Sequence, residues 1–92
     1  MYTLEKVNEN KSWNAETYRW VKIDRYHRLS DWDRSGPKVG NSLILNFEYS
    51  ELMGPFYTHM TSEISEIIES REGFTHFKTN DGGEYKLAYR KL

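Results

Sequence analysis

The sequence predicts a mainly β domain: a small antiparallel sheet that curls on itself, in the manner of an SH3-like barrel, with room for one short helix. Three observations predict it. Residues 84–89 alternate strictly, with Tyr85, Leu87 and Tyr89 on one face and Glu84, Lys86 and Ala88 on the other. Residues 42–49 alternate as cleanly, with Leu43, Leu45, Phe47 and Tyr49 inward and Ile44, Asn46 and Glu48 outward. Between the β-rich run 74–79 and the strand at 84–89 stand Asn80, Asp81, Gly82 and Gly83, residues that tolerate the positive φ of tight hairpin turns. The alternative is an α+β arrangement in which residues 13–20 or 62–70 are helical.

In chain order, residues 1–7 set Tyr2 and Leu4 against Thr3 and Glu5, a first strand, and residues 8–12 are a polar turn. Residues 13–20 read two ways. Ser12 or Asn14 can cap a short helix with Ala15 and Glu16 in its first turn, whereas the residues from Tyr18 onward are β-rich. A strand over 18–29 is preferred; a helix there would line up Arg19, Lys22, Arg25 and Arg28. Residues 30–41 are the clearest loop, with Asp, Ser, Gly and Pro together and Trp32 alone in the middle. Gly54-Pro55 marks a bend, after which Phe56 and Tyr57 are placed to cover an open end of the sheet. In residues 61–70, Ile64, Ile67 and Ile68 fit a helix started by Ser62 and Glu63, while Ile64, Glu66 and Ile68 fit a strand. The short distance to the following hairpin favours the strand.

Ninety-two residues make one domain with a small core, so the three Trp, seven Tyr and four Phe must supply much of the buried area. A homodimer sharing a face would ease that shortage; a monomer is the other expectation. No cysteine is present, which excludes disulfides and thiolate metal sites. With no apolar run of signal-peptide type in the first eleven residues, a cytoplasmic location is expected. No run is long enough to span a membrane. The net charge of −1 divides as +2 over residues 1–40 and −3 over residues 41–92. That asymmetry is weak for a dedicated nucleic-acid binder or a DNA mimic.

Chemical motifs are scarce. Asp31-Trp32-Asp33-Arg34-Ser35-Gly36 opens like a calcium loop, but the twelfth position is Ser42 rather than a bidentate Glu and Pro37 intrudes. His27, His59 and His76 are isolated and show no zinc spacing. No cysteine, nucleophile elbow or Ser–His pairing offers a nucleophile, and Gly82-Gly83 lacks the rest of a phosphate loop. No catalytic residue, metal or cofactor is therefore assigned. Glu63, Glu66, Glu69 and Glu72 recur every third residue; a solvated face is the usual meaning, a surface for a basic partner the sharper one.

Thr61-Ser62 followed by Ile64 and Ile67-Ile68, then Phe77-Lys78-Thr79, a tight turn and Tyr85-Lys86-Leu87, all preceded by Gly40-Asn41-Ser42-Leu43, resembles short bacteriophage and mobile-element proteins over roughly half the chain. Accessory proteins of that kind bind and disable host proteins, defence enzymes among them. The resemblance thus implies a host protein as partner. It carries over no binding residue, because the matching positions are core and turn positions.

The functional expectation is a non-enzymatic protein-binding module that inhibits or modulates a host protein. Its contact surface would combine Trp32 with Asp31, Asp33, Arg25, Arg28, Phe56 and Tyr57, since aromatics beside arginine make binding hot spots. The alternative is nucleic-acid binding through Arg19, Lys22, Arg25, Tyr26 and Arg28, where cations interleave with aromatics. The pI of 6.3 and the neighbouring Asp24, Asp31 and Asp33 weigh against it.

Overall fold

Alternation in the C-terminal run becomes a hairpin whose two strands, Phe74–Thr79 (β10) and Glu84–Tyr89 (β11), pair antiparallel with Phe77 opposite Tyr85 and Thr75 opposite Leu87. The structure, a computed structural model, describes residues 1–23, 29–33 and 36–90; for residues 23, 29–33, 49 and 55 the backbone alone is described. The first strand, Tyr2–Lys6 (β1), lies along β11 with Leu4 opposite Leu87. Lys11–Ala15 (β2) turns back beside β1. Ile64–Arg71 (β9) flanks β10, completing a five-stranded sheet in the order β2-β1-β11-β10-β9.

A second sheet packs on the first. Tyr18–Ile23 (β3) lies between Leu29–Asp33 (β4) and Ser42–Leu45 (β5), and His59–Met60 (β8) adds to the far side of β5. Glu48–Ser50 (β6) and Gly54–Phe56 (β7) form a separate two-stranded ribbon. The core lies between the two larger sheets. Leu4, Phe77, Tyr85 and Leu87 from the first meet Trp20, Leu43 and Leu45 from the second, all at most 4% exposed. Trp20 sets its ring edge-on to Phe77 at 5.6 Å, and Phe77 stacks on Tyr85 at 5.4 Å. Such aromatic pairs add about 0.5–1.5 kcal/mol to the area they bury.

The mainly β class and the strand at 64–71 agree with the sequence reading. The barrel does not. β2 and β9 are the two edges of the five-stranded sheet, so the assembly is an open pair of packed sheets, not a closed barrel. Among the described residues the helical structure is one 3-10 turn, Val7–Glu9, which sets aside the α+β alternative. Residues 13–15 belong to β2, where pairing with β1 prevails over the capping signal at Ser12 and Asn14.

Three further expectations need correction. The expected loop at 30–41 begins as a strand: β4 pairs with the open side of β3, Trp20 opposite Asp33 and Lys22 opposite Ser30. The glycine and proline that signalled a loop start only at Gly36. The expected strand over 42–49 stops at Leu45, because Asn46 takes the left-handed region at φ 53°. Before that kink Ile44 alternates with Leu43 and Leu45 as expected, but it is fully buried, as is Val21. β5 is thus buried on both faces, while Arg19 and Lys22 of β3 are exposed. Gly54-Pro55 does not simply bend the chain. Gly54, at φ 76°, opens β7, which pairs back on β6 with Pro55 opposite Tyr49.

Two bulges shape β9. Ile67 and Glu69 face Phe77 and His76, and Ile64 and Glu66 face Thr79 and Lys78, so Ile68 and Ser65 are extra residues. Each bulge twists an edge strand and spoils it as a template for another chain.

Candidate functional site

The two-residue interruption at Asn46-Phe47 is where the chain leaves the core, and Asn46 fixes how it leaves. Its backbone N–H donates to the Thr17 carbonyl at 2.9 Å, its Oδ1 accepts from the Glu16 N–H at 2.9 Å, and its Nδ2 donates to Thr58 Oγ1 at 3.0 Å. Thr58 N–H in turn donates to the Leu45 carbonyl at 3.0 Å. One left-handed asparagine therefore clamps both legs of the β6–β7 ribbon to the turn between β2 and β3. An isolated two-stranded ribbon is marginal in water, so this base is what holds it.

At the far end the ribbon turns through residues 51–53. Ser50 Oγ accepts from the N–H groups of Leu52 and Met53, both at 3.3 Å. The turn leaves Leu52 97% and Met53 82% exposed, the highest exposures among the described large apolar side chains. Phe56 and Tyr57, on the returning leg, are 45% and 40% exposed. The result is a braced ribbon with an apolar tip and aromatic flank.

Beside its base opens a groove of about 380 Å³, bordered by Asn14 and Glu16 on one side and Glu48, Phe56 and Thr58 on the other, with Met1 at one wall. Neither Glu16 nor Glu48 is ion-paired to a described residue, and no described Lys, Arg or His side chain lines the groove, although Met1 there carries the N-terminal ammonium.

The residues expected at a binding surface fare differently. Phe56 and Tyr57 stand on the ribbon. Asp31, Trp32 and Asp33 lie in β4, whose backbone alone is described. Arg25, Tyr26 and Arg28, with His27, lie outside the described residues. Arg19 and Lys22 are three apart on a regular strand and so point to opposite faces of β3; the Arg19 guanidinium stands over the Phe47 ring at 5.4 Å. The sequence reading missed Leu52 and Met53. The available signal was an apolar pair set between Glu51 and Gly54, inside a turn.

The remaining titratable groups sit elsewhere. His76 Nε2 is 2.9 Å from Glu84 Oε2 on the outer face of the five-stranded sheet, and this contact holds the Glu84 carboxyl below its usual range. Glu66 and Glu69 lie on that same face, opposite Lys78 and His76. Asp81 Oδ1 accepts from Thr79 Oγ1 and from the Gly83 N–H, and Oδ2 accepts from Ser62 Oγ at 2.9 Å; these bonds lower its pKa. Among the described residues no three His, Asp or Glu side chains converge on a position for a metal ion. No helix among them is long and apolar enough to cross a membrane. Comparison with known proteins finds no matching family model, no matching curated protein and no matching solved structure.

Proposed function

We propose that this chain is a non-enzymatic protein-binding module whose contact element is the β6–β7 ribbon. The observation that carries the reading is the exposure of Leu52 and Met53 at the tip of a ribbon braced by Asn46. Covering each of those side chains would stabilise a complex by about 1.5–3 kcal/mol, and a braced ribbon loses little entropy on docking. Phe56 and Tyr57 supply the larger anchoring surfaces beside the tip. This moves the centre of the contact surface from Trp32 to the ribbon. The likeness to phage and mobile-element proteins adds a host protein as the partner, inhibited or modulated in the host cytoplasm.

The test is affinity purification from host lysate with wild type and the Leu52→Ser/Met53→Ser double variant, then reconstitution with the purified partner. A partner retained by wild type and lost by the double variant supports the reading. A partner bound equally by both, or salt-sensitive binding to single-stranded nucleic acid with no protein partner, overturns it.

A further inference from the structure

We propose that the groove beside the ribbon receives a lysine or arginine side chain of the bound protein. The proposal rests on the ribbon being the contact element and deepens it by naming the chemistry of the partner.

The two groove carboxylates set the sign of the occupant. Glu16 comes from the turn after β2 and Glu48 from the first residue of β6. They are far apart in sequence, and the clamp made by Asn46 brings them to one opening. Neither is ion-paired to a described residue, and with the N-terminal ammonium of Met1 counted the described groove lining still carries one negative charge in excess. The polar groups of Asn46 are spent on Glu16, Thr17 and Thr58, so it does not satisfy them either. The ribbon carries the same sign. Residues 48–58 contain Glu48 and Glu51 and no Lys or Arg. An anionic ligand would be repelled, and two carboxylates are too few for a protein-held metal site.

The walls set the shape. Phe56 offers a half-exposed ring, and Met1 adds an apolar side. A volume near 380 Å³ is at the small end of the ~300–1,000 Å³ typical of ligand pockets. It suits one long side chain, whose methylene stem lies on the ring while the cation reaches the carboxylates. Phe56 and Glu48 belong both to the ribbon and to the groove. A partner that covers the ribbon from its tip to Phe56 therefore lies beside the groove.

The probe is acetyl-Leu-Arg-amide, compared with acetyl-Leu-citrulline-amide, which has nearly the same shape and no charge. Each is titrated to millimolar concentration into isotope-labelled full-length protein and followed by NMR. The expected result is shifts at Asn14, Glu16, Asn46, Glu48 and Phe56 with the arginine peptide, at least several-fold weaker binding of the citrulline peptide, and loss of the shifts in Glu16→Gln/Glu48→Gln. Both glutamates are exposed, so that variant keeps the fold, which an unchanged melting temperature verifies. Equal binding of the two peptides, or no shift at these residues, overturns the proposal. The ribbon reading fails separately: a reconstituted partner that ignores Leu52→Ser/Met53→Ser sinks it, whereas one that responds to that variant but ignores Glu16→Gln/Glu48→Gln sinks the groove alone.

Discussion

Trp13 and His59 stack face to face, ring centroids 4.2 Å apart and planes 18° from parallel. Trp13 stands on β2, at the edge of the five-stranded sheet, and His59 on β8, at the edge of the four-stranded one. The stack therefore joins the two layers at their rims. The His59 Nε2 atom is buried with no hydrogen-bond partner. Burial, and then the charge of Lys6, lower the pKa of the ring below its ordinary value near 6.5. The folded state prefers the neutral ring, and the unfolded chain binds the proton more readily. Stability from this contact is thus complete above about pH 6.5 and falls as the pH drops toward the lower, folded value. The melting temperature should decline as the pH falls below about 6.5, before Asp81, Glu84 and Glu9, all lowered, begin to titrate. His59→Phe keeps the ring contact and removes the proton site, so it should flatten that slope. An unchanged slope would assign the effect to another group.

Phe77 is the largest fully buried side chain described. It is fully buried, edge-on to Trp20 and stacked on Tyr85, so it touches both layers. Phe77→Ala should cost about 3–5 kcal/mol. Small domains hold only about 5–15 kcal/mol, so this variant should unfold at markedly lower denaturant. Phe77→Leu fills most of the space and should lose less than half as much. Denaturant midpoints for the three proteins check the order.

The turn at residues 80–83 ties β10 and β11 to the start of β9 through Asp81, which reaches Ser62 as well as Thr79 and Gly83. Asp81→Ala takes the acceptor from the part-buried Thr79 and Gly83 donors and the exposed Ser62 donor, and water entering the space of the lost carboxylate limits the expected loss to about 1 kcal/mol. Gly83 is tighter. A Cβ there would lie 2.7 Å from both Thr79 Oγ1 and Tyr85 Cε2. Because Tyr85 is packed in the core, Gly83→Ala should cost about 1–3 kcal/mol, more than the loss of the aspartate. The reverse order in thermal melts would mean that the tyrosine ring yields.

Much of this was legible because local signals and packing agree. Tyr85, Leu87 and Phe77 alternate toward the core as their spacing demands, and the Asn-Asp-Gly-Gly turn closes where its residues allow. The every-third spacing of Glu66 and Glu69 does not match the alternation of a regular strand, yet both lie on β9. Bulges at Ser65 and Ile68 stretch the period of the strand from two to three, so both acids fall on the outer face. A bulge is fixed by the partner strand, which periodicity within one segment does not report. β4 was hidden for a similar reason: residues 29–33 are strand because β3 has an open side, not because their own pattern demands it. The ribbon was half visible. Phe56 and Tyr57 were expected at a surface, but the groove depends on Asn46 bonding to Glu16, 30 residues away in the chain.

The exposed tip makes a separable prediction about binding. Leu52 and Met53 touch water over most of their surface, so Leu52→Ser/Met53→Ser should leave folding stability within about 0.5 kcal/mol of wild type. Affinity for a partner that covers them should fall by about tenfold or more, since tenfold is only about 1.4 kcal/mol. Titration calorimetry with the purified partner and a parallel denaturant curve separate the two quantities. A variant that loses stability and binding together would place the tip inside the fold.

Asn46 should behave in the opposite way, by coupling stability to the ribbon. At φ 53° an alanine is strained, and it also loses the bonds to the Glu16 N–H and Thr58 Oγ1. Asn46→Ala is expected to cost about 2–3 kcal/mol, from roughly 1 kcal/mol of backbone strain and about 1 kcal/mol for each bond. Asn46→Gly adopts the same φ freely and should recover the strain but not the bonds. Both variants free the legs of the ribbon, so limited proteolysis should cut within residues 51–53 faster than in wild type, and at similar rates in the two. Faster cutting in Asn46→Ala alone would mean that backbone strain, rather than the side-chain clamp, governs the ribbon.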